Sequence, residues 1–141
     1  YAVDVGHGQL AWKLRNDPRV VVLERTNARH LTSKEIPEPV DWMVCDASFI
    51  GLETVLPAAL SLTKPNAIAV ALIKPQFEAG KAEADKGAGV ITDAVIHDRV
   101  LRELERFIAD ETNLRWCAVT ESPLIGPAGN KEFLVLLEKN G

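Results

Sequence analysis

Apolar and polar positions along this chain switch between two periods, and the switches mark its elements. YAVDV at 1–5 reads as a strand, and GQLAWKLRND at 8–17 reads as a helix stopped by Pro18. RVVVLE at 19–24 is a second strand and DWMVCDAS at 41–48 a third. Residues 52–63 read as a helix that contains Pro57, so a late start or a kink is expected there. AIAVALIK at 67–74 is the fourth and most apolar strand. Over 93–110, Ala94, Val95, Val100, Leu101, Leu104, Phe107 and Ile108 recur mostly three or four apart, the stripe of a helix lying on a sheet. LRWCAVTES at 114–122 and EFLVLLEK at 132–139 complete the strands.

Strands that are nearly continuous in apolar and β-branched residues, alternating with helices, predict an α/β fold. The expected form is a mostly parallel sheet with helices on both faces, a three-layer sandwich. The short SPLIGPAGN connection makes the last two strands an antiparallel pair at one edge. One segment stands apart. PQFEAGKAEADKGAGVIT, 75–92, is rich in Gly, Lys and acids and longer than the roughly 12–15 residues of ordinary connections, so it is expected to be a functional lid or an irregular loop. No repeat or second domain interrupts 1–141.

Composition narrows the function classes. The chain carries 16 basic and 20 acidic residues, a net charge of −4, so a nucleic-acid substrate would need most of its electrostatic grip from elsewhere. No apolar run approaches the roughly 18 residues of a membrane span. Cys45 and Cys117 are far apart and His7, His30 and His97 lack ligand spacing, so reduced thiols in a cytoplasmic protein and no metal site are expected. The sequence opens without methionine inside a strand, which reads as a fragment.

Candidate chemistry lies where the strands end, because open parallel sheets present ligands at the carboxyl ends of their strands. Asp4, Glu24, Asp46 and Lys74 end the first four strands, and Glu132 opens the last, at the same rim if that strand runs antiparallel. Lys74 is followed by Pro75, which holds the preceding residue extended and would aim its amine across the rim. Gly6, Gly8 and Ala11 also satisfy G-x-G-x-x-A, with Glu24 eighteen residues after Gly6. Read literally, this is a dinucleotide fingerprint with Glu24 on the ribose, and a nicotinamide-dependent oxidoreductase is one alternative. Asp4 stands where that fingerprint wants an apolar residue and is itself suited to a nucleoside ribose diol.

AVDVGHGQLAWKLRND, LERTNAR (23–29), DASFI (46–50), ALIKPQFE (71–78) and GPAGNKEFL (126–134) occur in this order, and with them the chain resembles the hemolysin A family of ribosomal RNA 2′-O-methyltransferases. The resemblance covers essentially the whole chain. It implies a Rossmann-like class I methyltransferase domain of the FtsJ-like kind, S-adenosyl-L-methionine as cofactor, and ribosomal RNA or ribosomal subunits as partner. The family uses a Lys-Asp-Lys-Glu tetrad, whose last three members match Asp46, Lys74 and Glu132. Asp4 matches the acid on the cofactor ribose, Thr26 and Asn27 fall where the adenine edge is read, and Asp46 also faces the cofactor. The first tetrad lysine, the glycine-rich cofactor loop and a small RNA-binding domain lie upstream in the family and are not in this sequence, so 1–141 is expected to be a partial domain with its first strand missing.

The chemistry agrees with the unaided reading of Lys74. A 2′-hydroxyl attacks a methyl group poorly unless its proton is drawn away, and a partly dry lysine can accept a proton, whereas arginine stays charged. Two non-methyltransferase readings remain: a membrane-lytic protein, as the family name invites, and a non-catalytic RNA-contacting scaffold. The missing strand would sit centrally, between those of Asp4 and Asp46. Closure of that gap by a partner strand, an exchanged element or a shifted register is expected, with a strand-exchanged or edge-paired homo-oligomer as the intermolecular form.

Overall fold

The computed structural model describes residues 1–141. In chain order it contains β1 (Ala2–Val3), α1 (Trp12–Arg15), β2 (Val22–Leu23), β3 (Val40–Cys45), α2 (Leu52–Ser61), β4 (Thr63–Ile73), α3 (Pro75–Glu78), α4 (Lys81–Lys86), α5 (Ala94–Glu111), β5 (Leu114–Glu121) and β6 (Phe133–Lys139). Four strands form one sheet in the order β3-β4-β6-β5. β3 runs parallel to β4, and β6 is antiparallel to both of its neighbours. The antiparallel pair expected at one edge is therefore present, with β5 outermost. β1 and β2 pair in parallel as a separate two-stranded sheet, Ala2 opposite Val22 and Val3 opposite Leu23.

Alternation along β4 sorts the two faces of the larger sheet. Ala67, Ala69, Ala71 and Ile73 are buried. They pack, with Val135 and Leu137 of β6, against Leu52, Val55 and Leu56 of α2 and Val100, Leu104 and Ile108 of α5. The four-residue spacing on α5 puts its apolar groups on one stripe, and Asp93 caps the helix by accepting a 2.8 Å bond from the Val95 amide. Lys139 donates to the carbonyls of Leu60 and Thr63, satisfying the end of α2 and binding β6 across to the start of β4.

Several expectations need correction. The helix expected at 8–17 shrinks to the single turn of α1, because its apolar residues find no surface: Trp12 and Leu14 stay exposed. The strands at 1–5 and 19–24 keep only two paired residues each. α2 starts at Leu52, not late, and runs through Pro57, held by the buried Val55 and Leu56 beside it. The segment 75–92 is not an irregular loop throughout, since Pro75 starts α3 and α4 follows.

Helices do not cover both faces. α2 and α5 share one face, while Trp42 and Val44 of β3 and Leu136 of β6 point the other way and are exposed. The gap between the two sheets is likewise not closed by a shifted register. A cavity of about 430 Å³ separates Tyr1, Ala2 and Val3 from Val40, Trp42, Met43, Val44 and Cys45, and β3 pairs with β4 alone. Moving either sheet across would break existing ladders. β3 is fixed by its pairs with β4, and β1 by its pairs with β2 and by the bonds from the Asp4 amide to Leu23 and from the Thr26 amide to Asp4.

Candidate active site

Lys74 leaves β4 in an extended conformation, φ −115° and ψ 98°, and Pro75 occupies the first turn of α3 behind it. Counting from Ile73, which faces the helices, its side chain belongs to the opposite, open face of the sheet. There Lys74 Nζ lies 2.5 Å from Asp46 Oδ1 and donates to Ser48 Oγ at 3.1 Å. The lysine side chain is 10% exposed and the aspartate 68%, so the pair is buried at its cationic end and open to solvent at its acidic one.

Glu132 arrives from the antiparallel strand. The ladder pairs Ile73 with Phe133, and the same register continued one step would set Glu132 opposite Lys74. It is buried. Its carbonyl accepts from the Ser122 amide at 2.8 Å, fixing the backbone. Asn130, also buried, braces the same loop: its Oδ1 accepts from the Ile91 amide and its Nδ2 donates to the Gly89 carbonyl. The His97 ring reaches the Ile91 carbonyl at 2.9 Å, so α5 anchors this brace.

The other strand-end acids part company. Both oxygens of Glu24 are taken: Oε1 accepts from the Gly8 amide and Arg15, and Oε2 meets His7 Nδ1 at 2.8 Å. Arg15 above all, with the Gly8 amide and His7 beside it, holds this carboxyl down to about 2. Glu24 thus clasps the glycine turn, and both of its oxygens are already engaged by protein donors. Asp4 is exposed and commits only Oδ1, to the Gly6 amide at 2.7 Å. A Cβ on Gly6 would come within 3.2 Å of that same oxygen, so the glycine keeps the carboxylate clear. The Thr26 amide donates to the Asp4 carbonyl and its hydroxyl to the Glu24 carbonyl. Asn27 Oδ1 accepts from the Arg29 amide. Thr26 and Asn27 therefore shape the turn behind Asp4 and carry only part of their hydrogen-bonding capacity outward.

Two residues at the rim escaped the sequence reading. Ser48 is the second partner of Lys74, and only its place two residues after Asp46 marked it. Glu78, four residues after Lys74, reaches back to accept from the Leu52 amide at 2.9 Å. Burial, with Glu53 adding repulsion, pushes its carboxyl up to about 7. Between 4.5 and about 7 the folded chain therefore holds a proton that the unfolded chain releases. Glu78 accordingly makes stability fall as pH rises through that window, with no further effect above it. Melting temperatures measured from roughly pH 5 to 8 should decline less in Glu78→Gln than in the unsubstituted protein.

The sequence matches the family described as FtsJ-like methyltransferase over residues 1–139. The chain belongs to the FtsJ-like methyltransferase family. A relative in Mycobacterium tuberculosis, the 16S/23S rRNA (cytidine-2'-O)-methyltransferase TlyA, is 51% identical over 136 residues, covering 96% of this chain and 50% of the relative. Hemolysin A of Brachyspira hyodysenteriae is 38% identical over 138 residues, covering 95% and 55%. The solved structure of a candidate hemolysin from Streptococcus thermophilus superposes with a TM-score of 0.93 at 40% identity, covering 99% of this chain and 50% of that one. The chain spans about half the length of the curated relatives it matches. FtsJ-like membership and the fold agree with the α/β methyltransferase architecture expected from the sequence. No helix is long and apolar enough to cross a membrane.

Proposed function

We propose that this chain carries the reaction centre of an S-adenosylmethionine-dependent methyltransferase acting on a ribose 2′-hydroxyl of ribosomal RNA. The observation that carries the reading is the buried Lys74 amine at the sheet rim, 2.5 Å from Asp46. When bound, S-adenosylmethionine supplies a methyl group made electrophilic by its sulfonium. The chain's own residues do the remainder. Lys74, once its own ammonium proton has passed to bulk water, receives the proton that the 2′-hydroxyl gives up as the oxygen bonds the methyl and the sulfonium leaves as a thioether, a task open to lysine and closed to arginine. Asp46 and Ser48 hold the amine at the rim, Glu132, just before β6, flanks it, and Asp46 is in addition the acid that borders the cofactor.

Asp4 fits the cofactor's ribose, since its uncommitted Oδ2 at an exposed strand end is an acceptor for a vicinal diol. Thr26 and Asn27, in the turn behind it, border the adenine. The names of the relatives support ribosomal RNA as substrate, and with that substrate the working location is with ribosomes in the cytoplasm. The net charge of −4 agrees with RNA contacts supplied largely by another part of a longer protein.

Calorimetry on the full-length protein tests the cofactor assignment against the nicotinamide alternative. S-adenosylhomocysteine should bind, NAD should not, and Asp4→Ala should weaken the former by about tenfold or more, the loss of a charge-assisted hydrogen bond. Binding of NAD, abolished by Glu24→Ala, would overturn the reading.

A further inference from the structure

The Asp46–Ser48 segment and Lys74 come from different strands, and their meeting at 2.5 Å and 3.1 Å needs a device that fixes one loop against the other. The loop between β3 and α2 is poorly braced from within. Gly51, at the N-terminal boundary of α2, offers no side-chain cap. Phe49 is 90% exposed and sits at φ 62°, a left-handed conformation unfavourable to a bulky side chain. The first amides of a helix lack partners inside it and need one from elsewhere.

Glu78 supplies that partner from 26 residues away, its Oε1 accepting from the Leu52 amide at 2.9 Å. The same residue is tied to Lys74 through one turn of α3. The amides of Phe77 and Glu78 donate to the Lys74 carbonyl at 2.8 and 3.2 Å. The rings of Phe49 and Phe77 meet at 4.9 Å between the two segments. The contacts close a circuit, running from the Lys74 amine to Asp46 and Ser48, along the loop to Leu52, across to Glu78, and back through α3 to the Lys74 carbonyl.

We infer that Glu78 is a positioning residue for the proposed methyl transfer, capping α2 from α3 so that the Asp46–Ser48 loop and Lys74 are held as one rigid unit. It touches neither substrate nor cofactor in this role and acts through Lys74 and Asp46. A glutamine serves equally, because its carbonyl oxygen accepts the Leu52 amide, whereas an alanine leaves that amide without a partner. The inference rests on the methyltransferase reading only for its kinetic consequence, since the circuit itself is a property of the fold.

The test uses the full-length protein with ribosomal RNA as substrate, and reads kinetics and amide hydrogen exchange together. Glu78→Ala should lower kcat about tenfold with KM for RNA unchanged, and should speed exchange across residues 46–52. Glu78→Gln should restore both. Wild-type kcat in Glu78→Ala overturns the role if Lys74→Ala is inactive in the same assay. Equal impairment of the Gln and Ala variants also overturns it, because the acceptor would then not be what matters. Should Lys74→Ala methylate normally, the methyltransferase reading fails, and the exchange result decides the circuit alone: unchanged exchange at 46–52 in Glu78→Ala refutes it. If Glu78→Ala does not fold, Glu78→Gln carries the test, with wild-type kcat and exchange expected and a loss of either contradicting the cap.

Discussion

Lys74→Ala in the full-length protein should lower the rate of the proposed methyl transfer to ribosomal RNA by about 10³-fold, within the range that a positioned acid–base group contributes. The fold should survive. Asp46, 68% exposed, can be hydrated once Lys74 is gone, but the buried Glu132 loses a neighbouring cation. Melting temperature should consequently fall while the chain still folds. Binding of S-adenosylhomocysteine should persist as well, since Asp4 lies on a different strand, in the two-stranded sheet. Lys74→Arg should not rescue the rate: arginine keeps its charge near neutral pH, and its guanidinium cannot occupy the place of a compact amine between Asp46 and Ser48. A variant that methylates at the wild-type rate would instead favour the non-catalytic scaffold, and no rearrangement of the remaining residues would save the assignment.

The parts of the fold that were legible in the sequence are those whose packing partners are also in the sequence. The apolar run at 67–74 became β4 because α2, α5 and both neighbouring strands are present to bury it. The stripe from Val100 to Ile108 became α5 for the same reason. Where a partner is lacking, pattern and structure diverge. The stretch around Trp12 and Leu14 has a helical period but no surface to cover, and only one turn forms. Trp42, Val44 and Leu136 look like core residues along the chain and are exposed in the fold. Periodicity reports that a face is apolar; it cannot report whether anything lies on it.

The candidate site divides along a similar line. The meeting of Asp46 and Lys74 was readable because strand ends in a parallel sheet share one rim, and the register continued past Ile73 and Phe133 directs Glu132 to that rim. Glu24 was read as a possible ribose ligand from its spacing to the glycines, but spacing says nothing of Arg15 and His7, which occupy it. Glu78 was invisible for the opposite reason. Its partner is a backbone amide 26 residues away, and a backbone amide has no sequence signature. Ser48 falls between these cases: its contact with Lys74 depends on the turn after β3, where Phe49 holds a conformation the sequence does not announce.

Gly126→Ala should lower the proposed methyl transfer about 10²-fold, the scale on which a displacement of about 1 Å in a reacting geometry is felt, while leaving stability within about 1 kcal/mol of the unsubstituted protein. Gly126 has φ −69° and ψ 175°, which alanine adopts without strain, and its amide bond to the Asn130 carbonyl at 2.8 Å is kept. Only space is at issue. A Cβ at this position would stand 2.8 Å from Glu132 Cδ and closer still to Oε1, so the carboxylate must swing aside. The end of a glutamate can swing aside, which keeps the fold intact, but the buried carboxylate leaves the position it holds at the rim. Amide exchange or melting would register little, and the rate would register the whole displacement. Gly126→Ser should behave alike, since the added hydroxyl brings a Cβ with it. A Gly126→Ala enzyme with the wild-type rate would mean that the position of the Glu132 carboxylate is immaterial to the reaction, and would remove Glu132 from the centre while leaving Asp46 and Lys74 in it.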